Sequence, residues 1–446
     1  MNLRSVLSIA GSDSSSGAGI QADLKTFSSL GIYGCFAITA ITVQNTKNIF
    51  DVFPIPSEIV IKQINSILND IKIDAIKIGM VYDEQIINKI FQVLKNIKIP
   101  IIVDPIFTST SGINLIQSDA IKALIKKIFP IATIITPNIQ EAIQLSGIKI
   151  KTKEDIVKSI NTIKKLGPKF VIIKGGHLLS KYSIDTLIDD KLNIIEFSNS
   201  RIYIPENHGS GCNFSAALSA YISKGYEIPL ACKFANEFIN CALKNLLYIG
   251  QGYPVTDTAI TTSSSAFKFH VLQDLSIAIK ELESLSDVGK LIPETQSNFG
   301  YAIPNATTIK EVAGVKGRIV RIEQKVKASS CIEFGASKHI ASAIISYMAI
   351  NPLMRAGFNI KYDEKIIEVL QSFMKVAEYD RHLEPGKLKE QEGYTIQWGI
   401  KKAILKDKSV RGIYHKGEIG KEPMIIMFGQ KPAEIIQYLT KIIDNY

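Results

Sequence analysis

From residue 5 to about 250, short runs rich in β-branched residues alternate with segments whose apolar positions recur at helical spacing. SVLSIAG (5–11) is followed by QADLKTFSSLG (21–31), IDAIKIGM (73–80) by DEQIINKIFQVLK (83–95), and IPIIVDP (99–105) by a helical pattern near 119–128. The order continues through ATIITPN (132–138), QEAIQLSG (140–147) and KFVIIKGG (169–176). Such alternation predicts a three-layer αβα fold, a mainly parallel sheet with helices on both faces. In a sheet of that kind ligands sit at the carboxyl ends of the strands. Gly11-Ser12-Asp13, Gly79-Met80, Asp104-Pro105, Thr136-Pro137-Asn138 and Lys174-Gly175-Gly176 all fall at that edge.

The rhythm stops at GYPVTDTAITTSSSAF (252–267), where helical periodicity gives way to Thr and Ser. This composition predicts a linker at 255–269 between domains at 1–254 and 270–446. The second half opens on a helix, VLQDLSIAIKELESL (271–285), and continues with a strand in GRIVRIEQKV (317–326). Helices are expected at 338–350 and near 363–379, and a strand at 424–428. These describe a smaller α/β or α+β domain without a regular βαβ rhythm, and no internal repeat is present.

A chain of 446 residues can bury two cores of ordinary size, and 46% hydrophobic with 21% charged residues is the balance of a folded globular protein. The formal charge of +10 suits anionic ligands. Its lysines are dispersed rather than gathered in one tract, which favours phosphorylated small molecules over nucleic acid. Cys35, Cys212, Cys232, Cys241 and Cys331 are odd in number and include no CxxC pair, against a disulfide framework or zinc site and for a reducing compartment. Val6–Ala10 is too short for a signal peptide, and no apolar stretch reaches the length of a membrane span. A cytoplasmic location is expected, without a membrane partner; a homo-oligomer is compatible with the sequence.

The most concentrated chemistry is Asn207-His208-Gly209-Ser210-Gly211-Cys212, entering the small-residue helix NFSAALSAYISKG. Gly209 and Gly211 allow the backbone to approach a phosphate, and the amides of a helix N-terminus supply donors and a favourable dipole. Cys212 at the helix start is expected to have a lowered thiol pKa and to act as a base toward a substrate hydroxyl. Taken alone, GSGC also reads as a tight glycine turn beside a buried cysteine.

This loop, together with GSDSSSGAGIQADLKTFSSLGIYG, ITAITVQNT, TPN…E and KGGH, resembles the hydroxymethylpyrimidine kinase branch of the ribokinase-like family over roughly the first 250 residues. The likeness implies ATP and Mg²⁺ as cofactors. It implies a pyrimidine contacted by Gly11, Asp23, Gln44 and Met80, the Gln44 carboxamide pairing with the amino-pyrimidine edge. ATP and phosphate are assigned to Asp104, Thr136, Asn138, Glu141, Lys174, Asp185 and His208, and Mg²⁺ to Asp104 and Glu141 through waters. His177 belongs to the same KGGH segment. Hydroxymethylpyrimidine would be phosphorylated first to its phosphate and then to the pyrophosphate, and pyridoxal is the nearest rival substrate. Asn207 and Ser210 depart from the commoner THGTGC form, with Ser210 keeping the hydroxyl.

IPETQSNFGYAIPNA, GRIVR, FGASKH, Asp380-Arg381 and GEIGKEPMI resemble the ThiN-type thiamine-phosphate synthase domain across nearly all of residues 291–446. The implied reaction joins the pyrimidine pyrophosphate to thiazole phosphate with loss of pyrophosphate. Cations are needed near that leaving group; Arg318, Arg321, Lys338 and His339 could supply them, with Arg318 and His339 the implied catalytic pair. Asn298 and Asn305 are secondary ligand-edge candidates. Similar domains also serve as ligand sensors in regulators, so a kinase carrying a non-catalytic thiamine-phosphate sensor is the alternative reading. No helix-turn-helix precedes the second domain.

Overall fold

The computed structural model describes residues 3–108, 112–175, 181–202, 204, 206–380, 394–418 and 421–446. The chain forms two compact units, Met1–Ser263 and Ser264–Tyr446.

In the first unit, strands β1 (Ser5–Ala10), β2 (Tyr33–Ile38), β3 (Ala40–Gln44), β4 (Ile49–Pro54), β5 (Ala75–Ile78), β6 (Ile101–Val103), β7 (Ile134–Ile135), β8 (Phe170–Ile173), β9 (Tyr182–Ile188) and β10 (Ile194–Ser200) alternate with helices. Eight of these strands make one sheet in the order β10-β9-β8-β7-β6-β5-β1-β2. Pairing is parallel from β2 through β8 and antiparallel only at β8-β9 and β9-β10. The mainly parallel sheet is as expected. Every residue of β1 is buried, because a central parallel strand covered on both faces has no polar side to present.

Alternate residues of the sheet serve opposite cores. Leu7, Ile9, Ile76 and Ile78 pack with α2 (Ser57–Asp70), α3 (Glu84–Leu94), α4 (Ser118–Ala123), α5 (Ile139–Ser146) and α6 (Lys153–Lys164). Val6, Ala75, Ile102 and Ile134 pack with α1 (Gly19–Ser29), α7 (Ser210–Ser223) and α8 (Ile228–Leu243). The short strands β3 and β4 form a separate hairpin, with an irregular register at Val43/Gln44. Strands β11 (Leu246–Leu247) and β12 (Val255–Thr256) form another.

Residues 255–269, expected as linker, are structured. β12 occupies their start, and α9 (Ile260–Ser284) begins eleven residues earlier than the apolar pattern indicated. Tertiary bonds override the poor local helix signal: Ser29 Oγ donates to Thr258 O at 2.6 Å and Thr262 Oγ1 donates to Ser29 O at 3.0 Å.

The second unit adds β13 (Phe299–Ala302), β14 (Val312–Val315), β15 (Ile319–Ile322), β16 (Lys325–Ala328), β17 (Ile332–Phe334), α10 (Lys338–Met348), β18 (Ala356–Lys361), α11 (Glu364–Gln371), β19 (Val376–Glu378), α12 (Tyr394–Lys406), β20 (Gly412–His415), β21 (Met424–Gly429) and α13 (Pro432–Asn445). Its seven-stranded sheet runs β17-β14-β13-β18-β21-β20-β19, antiparallel except at β19-β20. The helix expected near 363–379 therefore ends at Gln371, and Val376–Glu378 is drawn into the sheet edge by pairing with β20. Phe299, Phe358, Tyr347 and Phe428 centre this unit's own core. Among the described residues no helix is long and apolar enough to cross a membrane, and no disulfide joins any of the five cysteines.

Candidate active site

The carboxyl ends of β1, β5, β6 and β8 converge with the start of α7 on a cleft of about 390 Å³. Gly11, Gln44, Met80, Asp104, Asn138, Glu141, Lys174, His208, Gly209, Gly211 and Cys212, eleven of the residues expected there, line it. Asp23, Thr136 and Asp185 do not.

The α7 end is built for close approach. Gly209, the helix N-cap, has φ +89°, and a Cβ on it would lie 1.7 Å from Gly17 O. Only glycine fits both the left-handed backbone and the contact. The first-turn amides of α7 are free of intrahelical bonding, as at any helix start, and they face the end where Lys174 Nζ would lie 3.3 Å from a Cβ on Gly211. An anion at this place meets amides, a helix dipole and an ammonium together.

Opposite lies a carboxylate pair. Asp104, 1% exposed, accepts from Lys174 Nζ at 3.0 Å and Thr136 Oγ1 at 3.0 Å, with Ser215 Oγ 3.1 Å from its other oxygen. Glu141 closes a capping box on α5: its carboxylate accepts from Asn138 N at 2.7 Å, and Asn138 Oδ1 accepts from Glu141 N at 2.9 Å. Burial pushes the Glu141 carboxyl up to about 7; Lys174 opposes this and neighbouring Asp104 adds to it. Burial alone would depress Lys174, yet Asp104 and Glu141 hold its ammonium above the ordinary lysine range. Two hard oxygen donors crowded around one cation fit a divalent ion that shares its remaining positions with water and phosphate. Among the described residues no closed cluster of three or more protein ligands exists, so such an ion would be held jointly with its substrate.

Thr136 thus serves the cleft through Asp104. Asp185 serves it through the backbone: it accepts from Gly175 N at 2.9 Å and from Asn236 Nδ2 at 2.7 Å, fixing the strand end that carries Lys174. Gly176 and His177 lie outside the described residues.

Asp23 is the clearest correction. Expected beside the pyrimidine, it is fully buried, with both oxygens 2.8 Å from Lys77 Nζ and one also accepting from Ser8 Oγ at 2.6 Å. Lys77, which the sequence reading passed over, lines the cleft instead. Burial would lower its pKa, but Asp23, Cys212 and Asp104 hold it above the ordinary range, so the ammonium stays charged. The available signal was a lysine interrupting the apolar run IDAIKIGM in a central strand.

Cys212 is also corrected in its acidity. Burial raises its thiol to about 11; Lys77 opposes the rise, and Asp23 and Asp104 add to it. Desolvation outweighs the helix dipole that was expected to lower it.

His208 was assigned to phosphate but is held elsewhere. Its Nε2 lies 2.9 Å from Asp13 Oδ2 and 2.8 Å from the Gln44 side-chain amide. Asp13, placed at the ligand edge by the sequence but given no role there, gathers the amides of Ser15, Gly17 and Ala18 at 2.8–2.9 Å.

In the second unit, Asn298 is a frame rather than a ligand edge. It is 6% exposed, donates to Val315 O and Gly317 O, and accepts from Phe299 N and Val315 N. That frame fixes the turn leading to Arg318, which is exposed and whose guanidinium donates to Thr295 O. A Cβ on Gly314 would meet both Asn298 Oδ1 and Ser337, so the same frame abuts the N-cap of α10, whose first residues are Lys338 and His339. Arg321 Nε is taken up by Glu323 O at 3.0 Å in the β15–β16 turn. Asn305 has φ +58°, a left-handed turn position. Arg381 lies outside the described residues.

Residues 13–257 match the family described as phosphomethylpyrimidine kinase, and 274–441 the one described as thiamine-phosphate synthase ThiN. The bifunctional thiamine biosynthesis protein ThiDN of Methanocaldococcus jannaschii is 32% identical over 99% of each chain. The chain belongs to the phosphomethylpyrimidine kinase family, in its two-unit form with a ThiN domain. A single-unit relative, the hydroxymethylpyrimidine/phosphomethylpyrimidine kinase of Haemophilus influenzae, is 41% identical over 57% of this chain and 97% of its own. The family's kinase unit is also similar to solved pyridoxal kinases: that of Bacillus subtilis in an ADP complex (36% identity, TM-score 0.53, 58% of this chain and 98% of that one) and that of Staphylococcus aureus with AMP-PCP and pyridoxal (36%, 0.52, 58% and 94%).

Proposed function

We propose that the chain phosphorylates 4-amino-5-hydroxymethyl-2-methylpyrimidine with ATP, first to the monophosphate and then to the pyrophosphate, and condenses that product with thiazole phosphate to thiamine phosphate. One observation carries the reading: the likeness to a bifunctional thiamine biosynthesis protein runs the full length of both units.

In the first unit the substrate oxygen forms a bond to the γ-phosphorus as the bridging P–O bond to ADP breaks, and in the first round the hydroxyl proton passes to an oxygen of the transferred phosphoryl group and from there to solvent. The α7 amides and Lys174 take the charge on the transferred group, so catalysis is largely alignment and electrostatic stabilisation. Mg²⁺, held by Asp104 and Glu141 with water, would neutralise nucleotide charge. With its thiol near 11, Cys212 is protonated at neutral pH and serves better as a hydrogen-bonding neighbour of the hydroxyl than as a resting thiolate base. In the second phosphorylation the acceptor is already an ionised phosphate and requires no base. In the second unit the thiazole nitrogen attacks the pyrimidine methylene as its C–O bond breaks. Arg318 and His339 are assigned to the departing pyrophosphate. A cytoplasmic location and a homo-oligomer belong to the same proposal.

The test is a coupled assay of the full chain with hydroxymethylpyrimidine, thiazole phosphate, ATP and Mg²⁺, beside Cys212→Ala and His339→Ala. Thiamine phosphate should form, with pyrimidine pyrophosphate accumulating in the His339 variant. Accumulation of pyrimidine pyrophosphate by the unaltered chain, with tight binding of thiamine phosphate, would make the second unit a sensor.

A further inference from the structure

The contacts around His208 fix the direction of hydrogen bonds that the bare distances leave open. Asp13 accepts from three backbone amides and from Ser15 Oγ at 2.7 Å, and these bonds with His208 hold its carboxyl below the ordinary range although burial pulls the other way. A carboxylate so supplied is an acceptor only, so the imidazole nitrogen 2.9 Å away carries the proton. That same Nε2–H cannot accept from the Gln44 amide nitrogen 2.8 Å away.

A second mismatch lies at the other end of the amide. Thr42 Oγ1 is 3.2 Å from Gln44 Oε1, but the single hydroxyl proton of Thr42 is given to Ser12 O at 2.8 Å. Two acceptors would face each other there, as two donors would face each other at His208. A half-turn of the carboxamide, whose O and N are interchangeable by rotation, removes both conflicts at once. Gln44 Oε1 then shares the single Nε2–H of His208 with Asp13 Oδ2 in a three-centre hydrogen bond, and Gln44 Nε2 donates to Thr42. The backbone below is already clamped, because Ser14 Oγ donates to Gln44 O at 2.7 Å and accepts from Gln44 N at 3.1 Å.

We propose that His208 is a positioning residue for substrate specificity: its Nε2–H locks the Gln44 carboxamide so that one carbonyl lone pair and one N–H remain for the cleft. Those two groups select a heteroaromatic ring with an exocyclic amine adjacent to a ring nitrogen. A 3-hydroxypyridine aldehyde such as pyridoxal has no such adjacent pair and gains nothing from the lock. This deepens the function proposed above and depends on it for the identity of the substrate, though not for the lock.

Two measurements decide it. In ¹⁵N-resolved imidazole spectra of the full chain, with His208→Gln to assign the signal, His208 should be protonated at Nε2; a neutral ring protonated only at Nδ1 overturns the lock whatever the enzyme's substrate. In kinetics, His208→Phe should raise KM for hydroxymethylpyrimidine about three- to tenfold, the worth of a shared hydrogen bond, leave KM for ATP unchanged, and shrink the preference over pyridoxal by a similar factor. His208→Gln, which keeps an N–H donor, should recover part of the loss. A rise in KM for ATP, or equal rises for both substrates without rescue, would return His208 to a phosphate-binding or purely structural role. If the unaltered chain does not phosphorylate the aminopyrimidine, the proposed function fails while the spectra still test the lock.

Discussion

Glu141 carries a proton to near neutral pH because it is buried beside Asp104, and this has a cost that depends on pH. Its folded pKa of about 7 lies above the ordinary glutamate value of 4.5, so the folded state retains a proton that the unfolded chain releases between these values. Stability from this group is therefore lost as pH rises from 4.5 through 7 and is flat below that window. Urea titrations of the full chain and of Glu141→Gln, which keeps an acceptor for the Asn138 amide, should show the difference between them changing by on the order of 3 kcal/mol from pH 4.5 to 7.5. A constant difference would mean that Glu141 is ionised throughout. Polar residues inside apolar strands were the least legible at this scale. Ser8 and Lys77 interrupt runs that otherwise read as core, and only their meeting with Asp23 explains them.

Among the elements, α7 does the most with the fewest side chains. Its usefulness depends on Gly209, where an added methyl would collide with the backbone of the first loop and would require an unfavourable positive φ. Gly209→Ala should lower kinase kcat/KM by about 100-fold or more, since displacing the amides by an ångström misaligns the phosphoryl group, while far-ultraviolet circular dichroism stays native. Unchanged kinetics would show that the loop does not form the anion site. The glycine loop, the TPN…E cap and the strand-end carboxylates were readable in advance because each uses residue types with narrow conformational or capping roles. The start of α9 was not readable, because hydrogen bonds with Ser29, more than 200 residues earlier in sequence, hold a Thr/Ser stretch that has little helical preference of its own.

At the scale of the whole chain, two units with separate sheets and separate cores should unfold as two transitions. In calorimetry, Mg²⁺ with a non-hydrolysable ATP analogue at a hundredfold excess over Kd should raise one transition by about 5–10 °C and leave the other in place. A single transition that shifts as a whole would show that the units are thermodynamically coupled. The sequence alone determined that there are two units, that the first is a mainly parallel αβα sheet and which strand ends meet at one cleft, because hydrophobic periodicity and glycine or capping motifs are local and survive in one dimension. Tertiary structure decided that Asp23 belongs to Lys77, that Cys212 is too buried to ionise readily and that His208 faces Gln44 and Asp13. Each of those depends on burial and on partners distant in sequence, and a side chain's charge and hydrogen bonds follow from what surrounds it in space.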